Sequence, residues 1–447
     1  MDIRTDCFCR YRTKYERNKL MDYGRLFLLA YISLICICFT FYNITSNTAL
    51  FLIGVGLIMC SVIFFSTDKA FLLMSSLLPS LMMIKIKNNT FAFYGLFLLA
   101  IEFKFFLAQF YRRHIIEVPF VLIFFALMCM ITCALYYELN ILSTLVRTIA
   151  FFLFIYNFLH EYRSREFFSK ILYFYVFGCI LSVLCGLIYY VAIGMNIFNG
   201  DFGGINNDRN YFAAIISSGI SISLYCLINK CNNKYFFLIS LFALLFGGII
   251  TGSRTFVLSI TIVFICTFIF SFNRKTFFWF CVIALFLLII YSFLSVVIDK
   301  IILTITKRFL EDNVSDGNGR TIAWAFYLNK SISSLKSFMF GNGSAVKFVE
   351  SGEFFIVEHS TVVEAIFTYG YITTILYCLI VRSIYKRIKI DRFKFANIIP
   401  LAALLFCYFT VSAFLSDNFN FGIVITLVVL SNPCKEQVSH EMIGVEI

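Results

Sequence analysis

Charged residues are scarce in this chain of 447 residues, at 14% of the sequence, and it holds only four prolines and four histidines. Hydrophobic residues make up 61%, including 58 Phe and 25 Tyr. This composition excludes an ordinary soluble globular protein, whose apolar fraction lies nearer half. Apolar runs of roughly 18 to 23 residues recur, and each can cross about 30 Å of hydrocarbon as a helix. We therefore predict an all-α, polytopic integral membrane protein, because backbone polar groups in lipid must be satisfied within their own segment.

The hydropathy pattern predicts about 12-14 transmembrane helices and one large polar loop. The fourteen predicted spans are 26-42, 49-66, 70-84, 92-111, 118-137, 141-158, 169-193, 209-228, 235-250, 254-272, 276-298, 360-381, 396-414 and 418-432. They divide the chain into an N-terminal tail (1-25), helices 1-11 (26-298), the large loop (299-359), helices 12-14 (360-432) and a C-terminal tail (433-447). No internal repeat is visible, which disfavours a transporter built from duplicated halves.

The basic residues alternate between successive connections. Residues 1 to 25 carry seven Lys and Arg and the stretch from Arg382 to Lys394 carries six, whereas the connections near Glu138 and Gly252 carry none. This alternation is typical of the positive-inside rule and predicts that both termini are cytoplasmic. The net charge of +12 therefore reports topology and not a nucleic-acid partner.

The sixteen cysteines lie mostly inside the apolar runs. No C-x-x-C pair and no zinc-ligand spacing occurs among them, so we predict no metal site. We interpret these cysteines as small core hydrophobes and not as disulfides.

Three arginines lie on the predicted outer side, where the positive-inside rule expects few cations. Arg209 and Arg254 each open a predicted helix, and Arg320 follows a turn-rich stretch of the large loop. A planar guanidinium is well suited to bidentate capture of phosphate oxygens. The alternatives are a lipid-headgroup anchor for Arg254 and a solvated loop residue for Arg320.

His359 is the only histidine on the predicted outer side, and it stands next to Glu358 where the large loop returns to the membrane. An imidazole can take or give a proton near neutral pH, so His359 is the candidate catalytic residue. A structural role is the alternative, because one histidine without a neighbour proves little.

Several short motifs occur in a recognisable order. His359-Ser360 is followed, after nine residues, by Gly370-Tyr371-Ile372-Thr373, and the turn Gly341-Asn342-Gly343 lies shortly before the histidine. Upstream are Thr251-Gly252-Ser253-Arg254-Thr255 and Asn207-Asp208-Arg209-Asn210-Tyr211-Phe212-Ala213. Over roughly residues 195 to 415 the chain resembles the O-antigen polymerase (Wzy) and O-antigen ligase superfamily. It departs from that pattern at Arg209, where proline is usual, and at Ser360, where asparagine is commonest.

The resemblance implies a glycosyltransferase that uses an undecaprenyl-diphosphate-linked oligosaccharide at the periplasmic face of the bacterial inner membrane, without a metal or other cofactor. It implies that Arg254, Arg320 and Arg209 bind the diphosphate and that His359 is catalytic. The supporting residues expected around them are Asp208, Asn210, Ser253, Glu358 and Asp417.

Three functions agree with these features. A polymerase of lipid-linked repeat units is favoured, by the number of spans and the Phe- and Tyr-rich composition. The alternatives are an O-antigen ligase that transfers glycan to lipid A core, and a flippase or other transporter. The expected partners are the lipid-linked oligosaccharides and the bilayer, with a chain-length regulator and a flippase as further candidates and no nucleic acid.

Overall fold

A computed structural model describes residues 3–81, 93–136, 139–205, 208–229, 231, 233–271, 274–310, 320–350, 352, 360–391, 397–400, 403 and 417–431. These residues form sixteen α-helices and a short 3₁₀ turn at Ile197–Asn199. The helices are α1 Ile3–Thr45, α2 Thr48–Phe64, α3 Thr67–Leu81, α4 Phe93–Tyr111, α5 Phe120–Tyr136, α6 Leu139–Glu161, α7 Arg165–Ala192, α8 Arg209–Ile228, α9 Lys234–Ile250, α10 Arg254–Ser271, α11 Arg274–Leu310, α12 Arg320–Ile332, α13 Leu335–Phe340, α14 Ala345–Glu350, α15 Thr361–Ile388 and α16 Asp417–Leu430.

The fold is that of a helical membrane protein, as the sequence predicts. Four described segments are both long and apolar enough to cross a bilayer, namely Gly24–Thr45, Arg165–Ala192, Arg209–Ile228 and Thr361–Ile388. Five shorter apolar helices accompany them. Large apolar side chains cover much of the outer surface, with Phe64 and Phe110 both more than three-quarters exposed. A surface of this kind is stable against lipid tails and not against water.

The middle of the bundle is the crossing of α3 and α7. Residues Ala70 to Pro79 of α3 are buried on every side. The two backbones touch at Gly178, where a Cβ would lie 2.7 Å from the carbonyl carbon of Ser76. A small residue at a helix crossing lets backbones approach closely, as in other membrane bundles. The short third helix is therefore a central element, and Pro79 falls in its last turn.

The ends of the helices lie on two faces of the bundle, which can be distinguished by their side-chain contacts. On the face that we call the basic face, ion pairs join Arg112 to Glu161 (3.1 Å) and Arg165 to Asp391 (2.6 Å). Arg387 also pairs with Glu117 there, and its hydrogen bond holds the pKa of that carboxyl below the ordinary value. All these residues lie in connections that the alternation of charge assigns to one side. Their common location agrees with that grouping, while the assignment of this side to the cytoplasm stays a prediction.

Three details differ from the sequence-based expectations. Helix α1 begins at Ile3, inside the predicted tail, and α11 continues to Leu310, past the predicted start of the large loop. Scattered charged residues hid both extensions. The interpretation that no cysteine forms a disulfide is wrong for Cys231, which is disulfide-bonded. Eleven described cysteines are free, and most of them are buried.

Candidate functional site

Four helices begin close together on the face opposite the basic face. At the starts of α8 and α10, the Ser253 hydroxyl donates a hydrogen bond to Asn210 Oδ1 (3.1 Å). The guanidinium of Arg320, first residue of α12, interacts electrostatically with Arg254, first residue of α10. We call this region the convergent face. Helix N-termini carry partial positive charge and unpaired N–H groups, so their convergence favours an anion.

The start of α15 reaches the same place. Its first turn contains Glu364, whose carboxylate interacts electrostatically with the phenol of Tyr211 in the first turn of α8. Helix α12 packs on this turn through the small buried cluster of Ala323, Tyr327, Val363 and Phe367, with Ala345. The convergent face therefore joins α8, α10, α12 and α15, which are far apart along the chain.

A buried loop supports the starts of α8 and α10. The Tyr190 hydroxyl accepts a hydrogen bond from the N–H of Gly203 (3.0 Å) and donates one to the carbonyl of Asp201 (3.1 Å). At the hairpin before α10, Gly252 has φ +56°, and a Cβ there would lie 2.8 Å from the Cα of Gly200. Glycine is required at position 252 because an L side chain would be strained at this φ and would clash with the loop at Gly200.

Arg254 and Arg320 form a pair of like charges. Arg320 is half-buried, and burial together with the neighbouring Arg254 lowers the pKa of its guanidinium from the ordinary value. Within the described residues Arg320 has no hydrogen bond and no ion pair. Arginine still remains protonated at physiological pH, so two adjacent cations stand at four helix starts. An anion bound between them would relieve their repulsion, and a diphosphate has the right charge and oxygen geometry.

Arg209 differs from the other two arginines. Its guanidinium is paired with the carboxylate of Asp201 at 2.6 Å, and both side chains are partly exposed. Asp201 neutralises the charge that the sequence-based reading assigned to diphosphate binding. Arg209 therefore ranks below Arg320 as a diphosphate ligand, and it serves to fix the loop against α8.

Asp208 stabilises the start of α8. It is the N-cap of α8, and its carboxylate accepts hydrogen bonds from the N–H groups of Asn210 (3.0 Å) and Tyr211 (3.2 Å). We expect Asp208→Ala to cost about 1 kcal/mol of stability through the lost cap, and Asp208→Asn to cost little. Thermal unfolding of the two purified variants measures the difference. Equal losses for Asn and Ala would show that the charge matters and not the cap.

The predicted catalytic residue His359 and its neighbour Glu358 lie outside the described residues. The next residue, Ser360, is the N-cap of α15, yet its side chain makes no capping hydrogen bond. It is only 1% exposed, and its hydroxyl has no hydrogen-bond partner in the described part of the chain. A buried hydroxyl without a partner is costly, so the Ser360 hydroxyl needs a partner that the described residues do not supply.

Two further motifs of the sequence meet at a break in α15. Gly370 has φ 85° and ψ 167°, which interrupts the helix and frees carbonyl groups of the preceding turn. The turn Gly341-Asn342-Gly343 supplies the missing donors: the N–H of Asn342 bonds to the carbonyl of Phe367 (2.7 Å) and that of Gly343 to the carbonyl of Thr368 (3.3 Å). The short first segment of α15, which carries Ser360 and Glu364, is thus fixed as a separate unit.

Helix α16 packs against α6, α7 and α15. Its first residue is Asp417, whose side chain is outside the described part, and Asn420 lies one turn further on. Asn420 accepts a hydrogen bond from the Tyr377 hydroxyl of α15 (2.9 Å) and reaches Thr148 of α6 (3.4 Å). This buried polar contact fixes α16 against the second segment of α15.

The comparisons identify no relative. No family model, no curated protein and no solved structure matches this chain. The likeness to O-antigen polymerases and ligases therefore stays a resemblance that depends on the motif residues alone. Within the described residues no group of three or more His, Cys, Asp or Glu side chains is placed to hold a metal ion.

Sequence reasoning missed two residues of the convergent face. Glu364 and Tyr211 were passed over because each falls at an unspecified position of its motif. One signal was available, since a carboxylate in the first turn of a predicted span needs a reason to be there. The electrostatic interaction between them joins residues 153 positions apart in the sequence, which no local pattern indicates.

Proposed function

We propose that this protein is a polymerase of undecaprenyl-diphosphate-linked oligosaccharide repeat units, acting at the outer face of the bacterial inner membrane. The observation that carries the proposal is the half-buried Arg320 beside Arg254, at the place where four helices begin. In this reading the protein has about 12-14 spans with both termini in the cytoplasm, and the convergent face is periplasmic. The motif resemblance supplies the substrate class.

The reaction breaks the bond between the anomeric carbon of a growing glycan and its diphosphate. Negative charge then develops on the leaving diphosphate while a hydroxyl of the next repeat unit attacks that carbon. Cations and helix N-termini already in place stabilise such charge without reorganisation, which accounts for much of the rate enhancement in sites of this kind. Arg254 and Arg320 bind the diphosphate, and His359 acts on or orients the acceptor hydroxyl.

The first test compares surface polysaccharide from cells with and without the gene. We expect the null strain to lose long-chain ladders on gels while single repeat units are still attached to lipid A core. A plasmid copy of the wild-type gene should restore the ladders. Cells that accumulate long undecaprenyl-linked chains with none on the core would instead indicate a ligase. Unchanged ladders would reject both transferase readings and favour a transporter.

A further inference from the structure

A cavity of about 420 Å³ opens on the basic face, between the connection from α4 to α5 and the ends of α6 and α15. Among the residues that line it are two arginines, two glutamates and two histidines. The proposed reaction uses none of these residues, so the cavity needs a separate explanation.

Both carboxylates of the cavity are already neutralised by cations. Glu161 pairs with Arg112 at 3.1 Å, and the amide of Gln109 donates a second hydrogen bond to it. Glu117 pairs with Arg387. These ion pairs leave little negative charge in the cavity to repel an anion.

Two neighbouring side chains of the lining are available to an anion. The exposed guanidinium of Arg113 has no hydrogen bond and no ion pair within the described residues. The amide oxygen of Gln109 accepts a hydrogen bond from His114 Nδ1 (3.1 Å), which leaves Nε2 of that ring without a partner in the described part of the chain. A guanidinium next to an imidazole suits the oxygens of a phosphate.

The backbone at Arg113 is unusual for an arginine, because its φ is +55°. Helix α4 ends there in a Schellman turn. The N–H of Arg113 bonds to the carbonyl of Phe110 (3.1 Å), and the N–H of His114 bonds to the carbonyl of Gln109 (3.1 Å). Glycine is the usual residue at this position, since an L side chain disfavours positive φ. An arginine in place of glycine, in the lining of a cavity, indicates a role for its side chain.

The cavity borders apolar surface of the kind that faces lipid. Ile115 of the lining is more than three-quarters exposed, and so are Phe110 and Tyr111 just before the Schellman turn. Phe103, Leu107 and Phe110 continue this exposed surface along one side of α4, at helical spacing. Aromatic and basic side chains together are typical of the level of the lipid headgroups. This arrangement favours a phospholipid over a soluble anion, because both its phosphate and its acyl chains find a suitable surface.

We propose that this cavity binds the phosphate of an anionic phospholipid from the leaflet on the basic face. Arg113 and His114 bind the phosphate oxygens, and the acyl chains lie along the exposed side of α4. Basic pockets between membrane helices bind headgroups of this kind. The site is separate from the convergent face, and the inference does not depend on the polymerase function.

The test uses the full-length protein, purified in detergent, to which phosphatidylglycerol, phosphatidylcholine or inorganic phosphate is added in turn. A ligand that binds only the folded state raises the melting temperature as its concentration rises. We expect phosphatidylglycerol to raise the melting temperature in a saturable way, and phosphatidylcholine to have little effect at the same concentrations. Equal shifts from the two lipids would contradict a site for an anionic headgroup. Equal shifts from phosphatidylglycerol and inorganic phosphate would contradict a site for a lipid.

Arg113→Gly separates the role of the side chain from that of the turn. Glycine suits φ +55° better than arginine, so the melting temperature without lipid should be unchanged or higher. The apparent affinity for phosphatidylglycerol should fall about 10-fold, the usual effect of losing one hydrogen bond to a charged group. His114→Ala leaves the residue at positive φ in place and should weaken the affinity by roughly 3- to 10-fold.

Arg382→Ala is the matched control, since it removes an exposed arginine near the same end of α15 as Arg387 but outside the lining of the cavity. It should keep most of the wild-type affinity. If Arg382→Ala and Arg113→Gly lose the same affinity, lipid binding reflects the general charge of this face, and the proposal is rejected. A lower melting temperature of Arg113→Gly without lipid would also overturn it, because the arginine would then serve the fold.

Discussion

Alanine at Arg254 or Arg320 is expected to abolish long-chain polysaccharide in cells and to lower kcat of the purified protein by roughly 10²- to 10³-fold, the cost of removing one preorganised charge-stabilising donor. The two guanidinium groups interact electrostatically where four helices begin, and there the charge of a leaving diphosphate would develop. Lysine at either position should restore only part of the activity, because an ammonium is a point charge without the bidentate fork. The measurements are gel ladders at equal membrane abundance and turnover of lipid-linked repeat units.

Arg320→Ala should not destabilise the protein without substrate. Burial and the neighbouring Arg254 lower the pKa of Arg320, which means that its charged form is disfavoured in the empty site. Removing one of the two cations relieves that repulsion, so the melting temperature of Arg320→Ala should be unchanged or higher. Arg382→Ala, an exposed arginine at the other end of α15, is the control and should alter neither activity nor stability. A lower melting temperature together with retained activity would contradict an anion site.

The double variant gives a further check. If both arginines bind one diphosphate, Arg254→Ala and Arg320→Ala together should lose much less than the sum of the two single effects, because each single change already disables the shared site. Additive losses would indicate two separate roles. Arg209→Ala should cost less than Arg320→Ala, since Asp201 already neutralises the Arg209 guanidinium.

Most of the helices could be predicted from hydropathy, because lipid leaves few other structures for an apolar run of this length. The starts of α8 and α10 were also predictable, from a capping aspartate and from a tight Thr-Gly-Ser turn. The proximity of these two helix starts could not be predicted. The hydrogen bond from Ser253 to Asn210 depends on how two helices pack, which is set by side chains spread over both.

The candidate site was predictable only in part, for a related reason. Charge against the positive-inside rule identified Arg209 and Arg254, yet that rule does not indicate which acidic side chain lies near each arginine. The ion pair between Arg209 and Asp201 is visible only in the structure. Glu364 was missed because the role of a single carboxylate in an apolar segment depends on which residues lie near it in the fold.

The turn Gly341-Asn342-Gly343 and Gly370 were both noticed in the sequence, as separate motifs. In the structure the turn packs directly against the backbone of α15 at Gly370, where the helix is broken. A Cβ built on Gly341 would lie 2.7 Å from the backbone N of Gly370, and a Cβ built on Gly370 would lie 2.8 Å from the backbone N of Gly341. The hydroxyls of Thr132 and Tyr136, on α5, bind the carbonyls of Phe340 (2.8 Å) and Gly341 (2.6 Å) and anchor the turn.

Gly370→Ala and Gly341→Ala are therefore expected to prevent correct folding and to leave little protein in the membrane fraction. Both glycines have positive φ, at +85° and +75°, where an L residue costs about 1–2 kcal/mol. The larger part of the cost is steric, because the obstructing atoms are backbone atoms that no side-chain rotation can move. Membrane abundance by immunoblotting and thermal stability in detergent measure the effect.

Gly194→Ala separates the conformational cost of a positive φ from the steric cost of a clash with backbone atoms. Gly194 also has positive φ, at +73°, but nothing lies within 4 Å of the position of its Cβ. It should lose only the conformational cost and remain folded, so the difference between Gly194→Ala and Gly370→Ala isolates the contact between the turn and the broken helix. If Gly370→Ala were as stable as Gly194→Ala, the turn would not hold α15 at its break. The first segment of α15 would then lack the support that positions Ser360 at the start of the helix.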